Sequence, residues 1–165
     1  MNTFRHSAII RWSDLNALGI VSDAAIASYI EETRAALVRK VASTDGVSAS
    51  GRSLVCLTVR QCIDYLTPVA WQESPLETSL HVTRIRSAAV ELMVHVGGAE
   101  RPSARATVLS VCWDTTRNRP RTLSTAQRDM LTEYLQPPTV QADPSGEPVD
   151  GSGPAHHSTG NGRTR

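Results

Sequence analysis

The stretch RWSDLNALGIVSDAAIASYIEETR, residues 11–34, decides how this chain folds. It opens on a polar turn ending at Gly19, and an apolar pattern of helical period starts just beyond. Ser22 or Asp23 can cap that helix, because either side chain accepts from the free N–H groups of a first turn. Ile26, Tyr29, Ile30, Thr33, Leu37 and Val41 then recur at helical spacing. That spacing puts them on one buried face. Glu31, Glu32, Arg34 and Arg39 lie largely off the stripe, and the Glu31–Glu32 pair most simply sits on a solvated or interface face. Glu31 and Arg34 also have the i,i+3 spacing of a helical ion pair. The small and turn-forming residues of STDGVSASG, 43–51, end the helix.

Outward from this segment the pattern changes period. Upstream, residues 4–12 read as a strand entering the domain. Downstream come four strand-like runs with no helix between them. In the first, Leu54 to Leu66, Val55, Leu57, Val59, Ile63 and Tyr65 are assigned to one side. Leu76, Leu80 and Val82 alternate in the second, and Val90, Leu92, Val94 and Val96 in the third, with Glu91 and His95 opposite. The fourth, Ala104 to Trp113, is apolar on both faces, which predicts an interior strand. The connections TPVAWQESP, RIRSA and GGAERP suit antiparallel neighbours. A short helix is predicted over Ser124–Leu135. Arg117, Arg119 and Arg121, with Pro120 among them, read as a solvated loop. The order is strand, long helix, then consecutive strands, an α+β arrangement. One helix covers only part of such a sheet, so a homodimer is expected to cover the rest.

Composition bounds the function. The chain has 165 residues and a net charge of +1. That length suits one domain, and the balanced charge gives no pull toward nucleic acid or an acidic membrane. From Gln136 onward the chain is rich in Pro, Gly, Ser and Thr. A folded domain over 1–135 and a disordered tail over 136–165 are therefore expected. The His156–His157 pair in the tail has no metal-like partners, and no metal site is expected there. Cys56, Cys62 and Cys112 sit in apolar stretches without metal-like spacing and read as buried free thiols in a reducing compartment. The opening MNTFRHSAII lacks a secretory pattern. No apolar run approaches the ~20 residues that span a bilayer. A cytoplasmic protein is expected.

Together, RWSDLNALGIVSDAAIASYIEETR, VRQCIDYLTPV and LHVTRIRSAAVELMVHV resemble the hotdog-fold acyl-CoA thioesterases of the 4-hydroxybenzoyl-CoA thioesterase type. The resemblance runs from Phe4 to Tyr134. It implies a long central helix wrapped by a curved antiparallel sheet of about five strands. It also implies a homodimer or homotetramer with sites at subunit interfaces, and an acyl-CoA or acyl-carrier-protein thioester as partner, with no cofactor. In that family the entry motif is an aromatic residue, Asp two positions on, a second Asp two further, and Gly after two more residues. Trp12, Asp14 and Gly19 match it, while the second Asp, the catalytic carboxylate of the family, falls on Asn16. Many members continue His-Val-Asn; here Ile20, Val21 and Ser22 follow.

Thioester hydrolysis needs an activated water or nucleophile and a means of holding the oxyanion. By resemblance, the oxyanion would face the start of the central helix, at the backbone N–H of Asp23, where unpaired donors and a positive dipole end meet. Asn16 can orient a water or hydrogen-bond the carbonyl but has no proton-accepting role at neutral pH. Other hotdog branches carry a catalytic Glu on the helix, which makes Glu31 a further candidate. Asp14, Gly19 and Val21 are assigned to the substrate side, with a structural role for Asp14 the simpler alternative. A basic cluster followed by Ser holds the coenzyme A phosphates in the resembling enzymes. Arg84, Arg86 and Ser87 match it, and guanidinium groups suit phosphate.

Overall fold

The computed structural model describes residues 2–45, 54–98 and 100–136. Strand β1 (Phe4–Ala8) leads through a 3-10 turn at Trp12–Asp14 into helix α1 (Asp23–Ala42). Then follow β2 (Val55–Tyr65), β3 (Leu76–Ile85), β4 (Ala89–Val96), β5 (Ala104–Asp114), the two-residue β6 (Arg119–Pro120) and helix α2 (Thr125–Thr132). The strands form one antiparallel sheet in the order β1-β3-β4-β5-β2, with β6 added to β5. A long helix held against a curved, open antiparallel sheet is the hotdog fold.

The helix forms where its cap and stripe place it. Ser22 Oγ accepts from Ala25 N at 3.3 Å, so Ser22 rather than Asp23 is the cap. All six stripe residues are buried, Ile30 and Thr33 completely. Thr33 Oγ1 lies 2.7 Å from both Tyr29 O and Thr78 Oγ1 on β3, within hydrogen-bond reach of each. A polar residue under the helix is thus satisfied where it meets the sheet. The inner sheet face supplies Leu80, Val82, Leu92, Val94, Val96 and Val108, all 1% exposed or less. The alternation expected in β3 and β4 is borne out, and β5 is interior, between β4 and β2.

Six details differ from the sequence reading. The entering strand stops at Ala8 instead of residue 12, because Arg11 N donates to Asp14 Oδ2 and Asp14 N to Arg11 O, closing the 3-10 turn. In β2 the register shifts between Thr58 and Arg60. A bulge reverses which side chains face inward. Ile63 and Tyr65 therefore pair with the inward Ala106 and Ala104, whereas Val55 and Leu57 pair with Trp113 and Val111 of the other face. Cys62 is exposed rather than buried, since it pairs with the exposed Thr107. Arg34 is buried although it lies off the apolar stripe: its guanidinium donates to Glu31, as the spacing predicted, and also to Cys56 O at 3.1 Å. The Arg-rich run is partly ordered, since Arg119–Pro120 pairs with β5. Helix α2 ends at Thr132, short of Leu135, although Ser124 does cap it. The predicted tail from residue 137 on lies outside the described residues.

Candidate functional site

A turn built by Asn16 opens the site. Asn16 N donates to Ile20 O at 2.8 Å and Gly19 N to Asn16 O at 3.0 Å. Gly19 sits at φ +70°, the left-handed region that closes such a turn without a Cβ penalty. The Asn16 Oδ1 accepts from Leu18 N at 2.9 Å and Ile20 N at 3.2 Å. Two backbone donors aimed at that atom require it to be the oxygen. The side-chain carbonyl is therefore committed to the turn, and the NH2 group is what Asn16 has left to offer.

Asp14 secures the turn from behind. Its Oδ2 accepts from Arg11 N at 2.8 Å and from the buried Tyr29 hydroxyl at 2.7 Å. Its carbonyl accepts from Ser22 N at 2.8 Å, joining the turn to the helix cap. The Arg11 N–H and then the Tyr29 hydroxyl hold the Asp14 carboxyl below its ordinary value. Burial first, and then this contact, push the Tyr29 hydroxyl well above its own. Asp14 does not line the cleft described next.

That cleft, of about 260 Å³, lies between the start of α1 and the end of β2. Asn16, Ile20, Val21, Asp23 and Ile26 form one wall, and the Tyr65–Val69 segment with Ser103 forms the other. Val21 N donates to Val69 O at 2.8 Å, which ties the walls together. At the helix start, Ser22 serves Ala25 and Ile26. The N–H groups of Asp23 and Ala24 have no intrahelical partner, as first-turn groups never do. The start of α1, the positive end of the helix dipole, therefore lines the cleft together with Asn16. Trp12, 73% exposed, stacks on Trp71 with ring centroids 4.9 Å apart. The wall from Tyr65 to Val69 was missed in the sequence. Its signals were Thr67-Pro68 ending a strand and the place of this segment in VRQCIDYLTPV.

The remaining candidates lie elsewhere. Glu31 is ion-paired with Arg34 and is not among the cleft residues. Arg86 donates to Glu91 Oε1 from Nη2 at 2.7 Å and from Nε at 3.1 Å. Arg84 faces Glu91 across the β3–β4 ladder. Ser87 O accepts from Leu123 N, and next to it Ala88 O accepts from Cys112 N. Ser103 at the cleft precedes β5, whereas Cys112 lies near its other end. At the rise of an extended strand, about 30 Å separates the two. One chain thus brings Asn16, Gly19, Val21 and Asp23 together and leaves Arg84, Arg86 and Ser87 at the opposite end of the sheet. A second cleft, about 190 Å³ between Arg5 and Glu77 at the β1 edge, holds none of these residues. Among the described residues no cluster of His, Cys, Asp and Glu is placed to hold a metal, and no helix is long and apolar enough to cross a membrane.

Among solved structures, the fold is shared with a predicted thioesterase from Bacillus stearothermophilus, at 17% identity over 84% of this chain and 100% of that one, with a TM-score of 0.71. It is also shared with a thioesterase from Thermus thermophilus complexed with coenzyme A and Zn, at 20% identity over 77% of this chain and 95% of that one (TM-score 0.62). A hypothetical protein from Staphylococcus aureus, in complex with CoA, is 13% identical over 90% of this chain and 95% of its own, with a TM-score of 0.68. At such identities the likeness is one of fold. Comparison with curated protein sequences finds no match. The family model of the thioesterase-like superfamily matches residues 10–141, from the last residues before the entry turn through α2, and the chain belongs to that superfamily.

Proposed function

We propose that this protein hydrolyses acyl thioesters carried on coenzyme A or on an acyl carrier protein, at a site completed by a second copy of the chain. The observation that carries the reading is the cleft at the start of α1, lined by both Asn16 and Asp23, the first residue of the helix. Superfamily membership supports it, as does the fold shared with proteins that were solved with coenzyme A. The thioester carbonyl would point at the Asp23 N–H, which strengthens its hold as the oxygen becomes an oxyanion. The Asn16 NH2 group would donate to the same oxygen or orient the attacking water. Water adds to the carbonyl carbon, the tetrahedral adduct collapses, and the thiol of the carrier leaves.

Strand β2 supports the second copy. It is an edge strand, and Leu57, Val59, Tyr65 and Leu66 on or beside it are 44–57% exposed. An uncovered apolar edge of this length calls for a partner. Antiparallel pairing of β2 with the same strand of another copy reverses direction across the twofold axis. It would bring the partner's Arg84–Ser87 hairpin from the far end of its sheet toward this chain's cleft. Coenzyme A phosphates on that hairpin and a thioester in the cleft then become compatible within one dimer.

One observation favours binding without turnover: Asn16 has no atom able to take a proton, and its carbonyl is already used in the turn. Hydrolysis of a panel of acyl-CoAs, followed by thiol release, separates the readings, with gel filtration reporting the dimer. Turnover that depends on Asn16 supports hydrolysis. Tight binding of CoA esters with no thiol release establishes the binding reading instead.

A further inference from the structure

We infer that Cys56 and Cys112 form a reversible disulfide, a site of oxidation by peroxides that joins the edge strand β2 to β5. The two residues face each other directly in the β2–β5 register, and their sulfurs are 3.3 Å apart. Backbone geometry shows which kind of pair this is. Cys112 N donates to Ala88 O and Cys112 O accepts from Arg121 N, both away from β2. Cys56 O accepts from Arg34 Nη1, away from β5. Neither residue spends a backbone group on the other, so they form the non-hydrogen-bonded kind of antiparallel pair. There the Cα atoms stand about 4.5 Å apart and the side chains are closest. A disulfide spans Cα separations of about 4.4–6.8 Å, so closing the bond requires side-chain rotation and no slip of the strands.

The surroundings assign the roles. Cys112 is fully buried, whereas Cys56 is partly exposed. The sulfur–sulfur hydrogen bond with Cys112, and then the nearby Arg34 and Arg121 guanidinium groups, hold Cys56 below the ordinary thiol range. The same contact and burial push Cys112 far above it. Cys56 is thus the attacking sulfur and Cys112 the resolving one. The Cys56 thiolate attacks one oxygen of hydrogen peroxide, the O–O bond breaks, and hydroxide leaves and is protonated to water, giving a sulfenic acid. The Cys112 sulfur then gives up its proton and attacks the Cys56 sulfur. The S–O bond breaks, and the departing hydroxide takes that proton as a second water. Two thiols have lost two electrons to the peroxide, and a dithiol reductant returns them by exchange.

The third thiol, Cys62, is exposed on the same strand. It has no such partner in its register, where it faces Thr107. Trypsin places the three cysteines on separate peptides, residues 53–60, 61–84 and 106–117. The test treats the full chain with hydrogen peroxide, digests it without reduction and reads the crosslinks by mass spectrometry. The expected result is a 53–60/106–117 crosslink two hydrogens lighter than its parts, formed within one chain and reversed by dithiothreitol. Counted after denaturation, free thiols should fall from three to one in a Cys62-intact chain. Closing so long a loop should raise the melting temperature by roughly 5 °C or more. Cys56→Ser and Cys112→Ser should each abolish the crosslink, and Cys62→Ser should leave it unchanged. The inference is overturned if Cys56 goes on to sulfinic acid while Cys112 stays free, or if the only crosslinks formed involve Cys62.

Discussion

Replacing Asn16 with Asp puts a carboxylate into a turn already built to hold one. The inner oxygen keeps the acceptor position for Leu18 N and Ile20 N, and two such donors favour the ionised form. The outer oxygen takes the place of the NH2 group at the cleft, where it can accept a proton from water. General-base assistance is worth ~10²–10⁴-fold in rate, or about 3–5 kcal/mol of barrier. Asn16→Asp should therefore raise kcat on simple acyl-CoAs toward that range, with the melting temperature unchanged. Asn16→Ala should lose both the cleft amide and the turn acceptor. Asn16 is exposed, so water replaces much of what the turn loses. Stability should fall by about 1 kcal/mol, or roughly 4 °C, along with activity. Steady-state kinetics with a chromogenic thiol reagent, beside thermal melts, read both quantities. If kcat falls in Asn16→Asp while the fold is intact, the donor amide itself is tuned for the reaction, and the reasoning from a missing base fails.

Other perturbations test the parts separately. Arg84→Ala with Arg86→Ala should raise KM for acyl-CoA by a loss of about 1–3 kcal/mol and leave pantetheine-truncated substrates unaffected; an equal loss on both would make the arginines structural. A chain ending at Gln136 keeps the bonds from Gln136 N to Val82 O and from Val82 N to Tyr134 O. It should melt and elute like the full chain, and a clear drop in melting temperature or a shift to monomer would count against a dispensable tail. Tyr29→Phe removes the donor to Asp14 and should destabilise by about 1–2 kcal/mol. Because the Asp14 carboxyl is depressed when folded, that difference should be present above about pH 4 and vanish as acid protonates it. Burial holds His81 and His95, whose rings lie 5.9 Å apart, below the ordinary imidazole value; the charge of His95 adds to this at His81, and that of Arg105 at His95. The unfolded chain then binds more protons in mild acid, so stability should be full above about pH 6.5 and decline below it. Replacing both by Gln should flatten that decline in melts run from neutral to mildly acidic pH.

The central helix, its Ser22 cap and the alternation of β3 and β4 were legible in the amino-acid order, because each depends on neighbours within a turn or a strand. The fold class followed from the order of those elements, and the Asn16–Val21 turn was visible as a motif. Contacts between distant segments were not legible. The bulge at Thr58–Arg60 exists only against β5, and it reverses the face assigned to Ile63 and Tyr65. Arg34 stands at the border of the apolar stripe, and only the passage of β2 beside α1 shows that it is buried on Cys56 O. A motif also cannot say which atom of Asn16 faces the cleft, since that depends on where the Leu18 and Ile20 N–H groups point once the turn has closed. Arg84, Arg86 and Ser87 looked like part of one site with Asn16, yet β5 holds them at opposite ends of the sheet. Local spacing carries no information on how an antiparallel sheet orders its ends, so their separation was decided only by the tertiary structure.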